Sequence, residues 1–235
     1  MSNNLYFKAN KKRWLLLPGG RFRVSIKFLN QLPVFLLKLV YDYFCGFWKK
    51  ERAWEHEKYI KYFESKDVLE IGAGMGYDAM QYVNSAKSYT CGELNFLQIN
   101  FLSKVFGIYN KDIKLEYLEN PIQHKFSRKF NAFYAHGVLH HVPFELAKQQ
   151  FQNIDKYLES GSIVVFLMYP KERWEHCGKP SFEEFGKFTD GGCPWAEWYD
   201  DKKIKDLVGD GYVLNYTIKW GWNNIEFVNF ELVKK

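Results

Sequence analysis

Apolar positions follow two rhythms along the chain. Short apolar runs rich in β-branched and aromatic residues stand at 67–71, 88–93, 113–118, 130–135, 162–169, 213–219 and 225–232, and predict strands. Between them, apolar residues at helical spacing predict helices from about 79 to 84, 96 to 106, 144 to 158 and 200 to 208. This alternation implies an α/β fold: a seven-stranded, mostly parallel sheet with helices on both faces and an antiparallel C-terminal hairpin at its edge.

Upstream of the first strand the pattern changes. Phe35, Leu36, Leu39, Val40, Tyr43, Phe44 and Phe47 recur at helical spacing, with Lys38 and Asp42 on the other side. Pro33 suits the first turn of that helix, and a second one, 51–64, carries Trp54, Tyr59, Tyr62 and Phe63. The first thirty residues or so lack periodicity, and the Pro18-Gly19-Gly20 turn divides two basic, aromatic pieces, so an irregular arm is expected there. The chain therefore divides into an N-terminal basic arm and helical cap, 1–65, and a body, 66–235. Within the body, residues 170–199 break the α/β rhythm and are too long and too aromatic for a plain connection. An insertion after the fifth strand faces the carboxyl ends of the strands, where open sheets bind ligands, and reads as a substrate lid.

Charge sharpens this division. The net charge is +6, but residues 1–66 hold fourteen Lys/Arg against five acids, and the remainder is slightly acidic. Such asymmetry implies an anionic partner, which a phosphorylated small molecule, an acidic glycan, nucleic acid or a lipid surface would each satisfy; a solvated helix face explains it equally well. Cys45, Cys91, Cys177 and Cys193 form no CxxC pair and follow no secretory leader, which fits a reducing compartment and a cytoplasmic location. The most apolar run, 32–48, is interrupted by Lys38 and Asp42 and is too short to span a bilayer, leaving peripheral membrane contact as the alternative.

The chemistry centres on Asp67-Val68-Leu69-Glu70-Ile71-Gly72-Ala73-Gly74-Met75-Gly76-Tyr77-Asp78-Ala79, a strand, a turn of three alternating glycines and the start of a helix. Glycines permit positive φ and close approach of a ligand, and a helix N-terminus offers free N–H groups. Tyr77 stands where a dinucleotide site wants its third glycine beside a pyrophosphate, and the acidic Glu70 favours a cation over a phosphate. A positively charged nucleoside without phosphates fits both features.

These residues resemble the first motif of class I S-adenosylmethionine-dependent methyltransferases, acidic-x-Gly-x-Gly-x-Gly, as Glu70 to Gly76 reads. The resemblance implies a Rossmann-like fold and S-adenosylmethionine as cofactor, held by Glu70, Gly72, Ala73, Gly74, Gly76 and Asp78. It further implies that Glu93, at the end of the second strand, accepts the ribose hydroxyls beside Leu94. Glu119 or Asn120 would hold the adenine amino group, and Ala135 and His136 would complete the site at the end of the fourth strand. Simple alternatives stand beside these roles: Glu93 capping the helix near Asn95, and turn chemistry at Asn120-Pro121. His136-Gly137-Val138-Leu139-His140-His141 is similar to a segment of family members with small-molecule acceptors, although Asn131 replaces their usual Asp.

An acceptor hydroxyl must lose a proton during methyl transfer, and histidine is suited to take it. His136 is favoured because it directly follows the strand; His141 and His176 are the further candidates. Trp54 on the cap and Trp174, Trp195, Trp198 and Tyr199 in the lid are candidate acceptor contacts, the lid aromatics serving otherwise as a small core of their own. No spacing of His and Cys matches a metal pattern, so no metal is expected. The resulting expectation is a methyltransferase acting on a small-molecule or saccharide acceptor at oxygen. Two rivals remain: an RNA methyltransferase, favoured by the basic aromatic arm, and a binding module without turnover. The sequence assigns no oligomeric state.

Overall fold

The computed structural model describes residues 4–19, 22–189, 192–222 and 225–235. The chain packs as two compact units, Trp14–Glu119 and Met1–Arg13 with Asn120–Lys235. Helix α1 (Asn4–Arg13) opens the chain and belongs to the second of these.

The unit Trp14–Glu119 begins with the antiparallel hairpin β1 (Leu16–Gly19) and β2 (Phe22–Ser25), then α2 (Ile26–Gln31). Helices α3 (Val34–Glu51) and α4 (Ala53–Phe63) meet at Arg52, whose φ of −119° and ψ of 22° end one helix and start the next. Pro33 precedes α3 as its cap, one position outside the first turn. There follow β3 (Asp67–Ile71), α5 (Tyr77–Tyr82), β4 (Ser88–Glu93), α6 (Phe96–Ile108) and β5 (Ile113–Tyr117). The strands pair in parallel in the order β5-β4-β3. Val68, Leu69, Ile71, Tyr89 and Cys91 are buried whichever way they point, as a parallel sheet covered on both faces requires.

The second unit contains β6 (Phe130–His136), a single 3-10 turn at Leu139–His141, α7 (Phe144–Asp155) and β7 (Leu158–Pro170). It continues through α8 (Lys171–His176), α9 (Phe182–Phe188), β8 (Trp198–Tyr199), α10 (Asp201–Val208), β9 (Tyr212–Trp222) and β10 (Ile225–Lys234). Strand β6 pairs in parallel with β7, and β10 lies antiparallel between β7 and β9. The core beneath is aromatic: the Phe151 ring lies 5.4 Å from Phe166 and 5.5 Å from Tyr212. The fold is thus α/β and Rossmann-like, with mostly parallel strands at the seven expected places and an antiparallel C-terminal hairpin.

Three segments differ from the sequence expectation. The first thirty residues are not irregular, for α1, the β1–β2 hairpin and α2 occupy most of them. Their order comes from tertiary bonds rather than periodicity: Phe7 and Asn10 are buried, and the Asn10 amide donates to the His141 carbonyl at 2.8 Å. Strand β7 starts at Leu158, ahead of Gly161, because a register shift against Phe130 and Ala132 takes up the extra residues and Gly161 adopts φ +78° there. Residues 170–199 hold two helices and a strand, β8, that adds to the end of β7 through Tyr169 opposite Trp198 and Pro170 opposite Tyr199.

Candidate functional site

At the end of β3 the chain makes the glycine turn that the sequence singles out. Gly72, Gly74 and Gly76 take φ of +70°, +59° and +77°, values that side-chain-bearing residues rarely adopt. Gly72 N–H bonds the Gly92 carbonyl at 2.8 Å, Gly76 N–H closes the turn on Ala73 at 2.7 Å, and Met80 N–H begins α5 on the Gly76 carbonyl. The glycines have different jobs. A Cβ on Gly76 would lie 2.8 Å from Leu102 and 3.0 Å from Phe106, so this glycine lets α6 pack against the turn. A Cβ on Gly74 would meet nothing nearer than the Gly72 carbonyl at 4.0 Å, so open space lies over this one.

The turn is pinned to the end of β4. Glu93 accepts from Gly74 N–H at 2.8 Å through one carboxylate oxygen and from Leu94 N–H at 3.3 Å through the other. Gln98, on the first turn of α6, donates to both the Gly74 carbonyl at 2.8 Å and the Glu93 carboxylate at 3.0 Å. Burial pushes the Glu93 carboxyl up to about 7, against the pull of the two backbone donors. Asn95 supplies the helix cap itself, accepting from Leu97 N–H, which leaves Glu93 directed at the turn. Gln98 is absent from the sequence reading. Its signal was the Asn95-x-x-Gln98 spacing of a capping box, in which the Gln would turn back to the cap residue, whereas here it reaches the glycine turn.

Glu70 and Asp78 lie to either side of the turn, in different settings. Glu70 is buried and accepts from the Tyr89 hydroxyl at 2.9 Å. Burial drives its carboxyl well above the ordinary range, the charge of Asp78 adds to that, and the Tyr89 bond opposes it. Asp78 is held by Arg52 at 3.0 Å and by His56 at 2.9 Å, and Arg52 also meets Glu55 at 2.8 Å. All four side chains are buried. Their network fastens α4 to α5, whose first residue follows the last glycine of the turn. Ala73 is buried and Leu94 half-buried beside these groups, and Trp54 stands partly exposed on α4. Glu119 is exposed at the end of this unit.

In the second unit, Asn120 is exposed and its amide donates to Gln123 in a turn. Ala135 is buried at the end of β6, and His136, next along, is half-buried with Nδ1 3.0 Å from the Tyr134 hydroxyl. His140 and His141 are buried and face each other, Nε2 to Nε2, at 3.1 Å. His140 stacks on Tyr169 at 4.0 Å, with the Arg173 guanidinium 4.1 Å from the same tyrosine ring. Burial holds the His140 imidazole well below its ordinary pKa, and His141 and Arg173 push it the same way, so it is neutral near pH 7. His141 places Nδ1 3.2 Å from the Trp195 carbonyl and Nε2 3.9 Å from Cys193 Sγ. His176 is exposed on α8 and pairs with Glu226. Of the histidines at the end of β6, His136 is the one that reaches solvent.

Of the aromatics in 170–199, Phe182, Trp198 and Tyr199 surround Lys203. Its ammonium lies 4.6 Å from the Trp198 ring centre and 5.0 Å from Tyr199, and pairs with Glu197 at 2.5 Å. Trp195 Nε1 donates to the same Glu197, and Trp174 Nε1 donates to the Pro180 carbonyl. Among the described residues no group of three His, Cys, Asp or Glu side chains is placed to hold a metal ion.

No family model and no curated protein sequence matches the chain. Solved structures do match. The magnesium protoporphyrin IX methyltransferase of Synechocystis, with bound S-adenosylhomocysteine, gives a TM-score of 0.60 at 14% identity over 77% of this chain and 82% of that one. The N-methyltransferase NodS of Bradyrhizobium japonicum, in complex with the same compound, gives 0.60 at 11% identity over 80% of this chain and 87% of its own. A Rhodobacter sphaeroides protein described as a candidate Zn-dependent alcohol dehydrogenase gives 0.59 at 11% identity over 77% and 89%. The chain has the fold of class I S-adenosylmethionine-dependent methyltransferases, and at such identities likeness speaks for the fold alone.

Proposed function

We propose that the chain is an S-adenosylmethionine-dependent methyltransferase acting at oxygen on a small-molecule or saccharide acceptor. One observation carries the reading: a turn with three glycines at positive φ, tied by Gly74 N–H to the buried carboxylate of Glu93, with space left over Gly74. The residues fit the cofactor. Glu93 Oε2, whose bond from Leu94 N–H is long, is the acceptor for ribose hydroxyls, and Gly74 permits close approach of the nucleoside. When bound, S-adenosylmethionine supplies an activated methyl group on a sulfonium. The chain's part is then to align the acceptor, exclude water and take a proton.

His136 is the base in this reading. It is half-buried at the end of β6, while His140 and His141 hold each other within the core. Its Nδ1 contact with Tyr134 fixes the ring, as a base needs. The lid, 170–199, selects the acceptor, with Trp174 and Trp198 as its part-exposed aromatic surface. Calorimetric titration with S-adenosylmethionine is expected to show one site per chain, and no heat at millimolar ligand would leave only a binding module on the same fold. His136→Ala is expected to lower turnover at least tenfold while cofactor affinity stays within about twofold, as loss of a proton acceptor dictates. Equal losses in both would remove His136 from the role.

A further inference from the structure

Helix α3 carries more apolar surface than its packing uses. Leu37, Tyr41 and Phe44 form its buried stripe, as an amphipathic helix requires. On the opposite side Phe35 is 65% exposed, Leu39 63% and Tyr43 71%, successive members of an i, i+4, i+8 row. Val34 and Leu36 extend this surface at the N-terminal end. Side chains of this size exposed together amount to roughly several hundred Å², which marks an interaction site. The polar positions are confined: Lys38 pairs with Asp42 at 2.7 Å along one flank, and Lys49 and Lys50 stand exposed at the C-terminal end. Lys27, on α2, is exposed as well. No helix among the described residues is long and apolar enough to cross a membrane.

We propose that α3 docks the protein on an anionic lipid surface, lying in the interface with Phe35, Leu39 and Tyr43 among the acyl chains and the lysines at the headgroups. Charge chooses this occupant. Residues 14–66, which belong to the same unit as α3, carry ten Lys/Arg against five acids, complementary to anionic headgroups. Lysine, by contrast, is depleted at protein–protein contacts, and a two-fold partner helix would bring each lysine-bearing face against its own copy. An aromatic and aliphatic row flanked by lysines is what interfacial helices present to membranes.

Flotation of the full chain with phosphatidylglycerol vesicles and with phosphatidylcholine vesicles tests the assignment. Binding to the anionic vesicles, weakened by salt and much lower on the zwitterionic ones, is the expected result. The triple variant Phe35→Ser/Leu39→Ser/Tyr43→Ser should bind at least about tenfold less through lost apolar burial, with an unchanged melting temperature because those side chains face solvent. Lys49→Glu/Lys50→Glu should lose about fivefold or more per lysine on anionic vesicles. Failure to float with anionic vesicles would overturn the proposal, as would undiminished flotation of the triple variant. Dimerisation through the row in sedimentation velocity, or RNA binding indifferent to the serine substitutions, each without vesicle binding, would do the same. None of these outcomes depends on the cofactor reading, which calorimetry tests separately.

Discussion

At the scale of single residues, the second and third glycines of the turn separate ligand binding from folding. Gly74→Val places a side chain in open space, so it is expected to cost about 1–2 kcal/mol for the positive φ and to abolish S-adenosylmethionine binding. Gly76→Ala drives a methyl into Leu102 and Phe106, so it is expected to cost about 2–4 kcal/mol in thermal melts, from overpacking plus backbone strain. Unchanged affinity in the first variant would contradict the turn's role, and an unchanged melting temperature in the second would contradict its packing. Glu93 gives a pH dependence of definite sign. Its carboxyl is raised to about 7 in the folded chain, and ribose hydroxyls donate to the ionised form. Binding therefore weakens as pH falls below about 7, approaching tenfold per unit, and levels off above it. Titrations from pH 5.5 to 8.5 should show this slope, and Glu93→Gln should flatten it along with a lower affinity. Gln98→Leu removes a donor from the carboxylate, so it should move the break in the slope upward; a break left in place would make Gln98 merely structural.

At the scale of elements, the ion network between α4 and α5 is the least legible part of the first unit. Asp78 reads from sequence as a neighbour of the cofactor, but its partners Arg52 and His56 lie more than twenty residues upstream, and no local spacing announces them. Strands announce themselves because a buried parallel strand is a short, uniformly apolar run, and α10 does so because Asp200 caps a short amphipathic segment. The glycine turn was legible for a similar reason: positive φ at three alternating positions admits few residue types. Helix α1 and the elements inside 170–199 were not, since long-range bonds such as Asn10 to His141 and the enclosure of Lys203 by aromatics hold them. Where partners are distant, stability rests on pairing. Arg52→Met leaves the buried Glu55 and Asp78 without their cation and is expected to cost about 3–5 kcal/mol in denaturant unfolding. Asp78→Asn keeps an acceptor for Arg52 and His56 and should cost less than half as much. A larger loss from the amide than from the methionine would mean that the network is not what fastens α4 to α5.

At the scale of the whole molecule, the candidate residues of the proposed reaction are distributed over the two units. Trp14–Glu119 holds the glycine turn, Glu93 and Gln98, and the other unit holds His136, His140, His141, His176 and residues 170–199. A ligand that binds only the native first unit stabilises it by mass action, by about 2.7 kcal/mol at a free concentration one hundred times its dissociation constant. Amides of β4, bonded between β3 and β5 in the middle of that unit's sheet, exchange with solvent only when it opens widely. Their exchange should therefore slow about a hundredfold on adding S-adenosylmethionine at that excess. An equal slowing with adenosine at the same free concentration would show that the nucleoside contacts at Glu93 and Gly74 suffice. Slowing confined to β9 and β10, with β3 and β4 unchanged, would put the ligand on the other unit and end the proposed cofactor site.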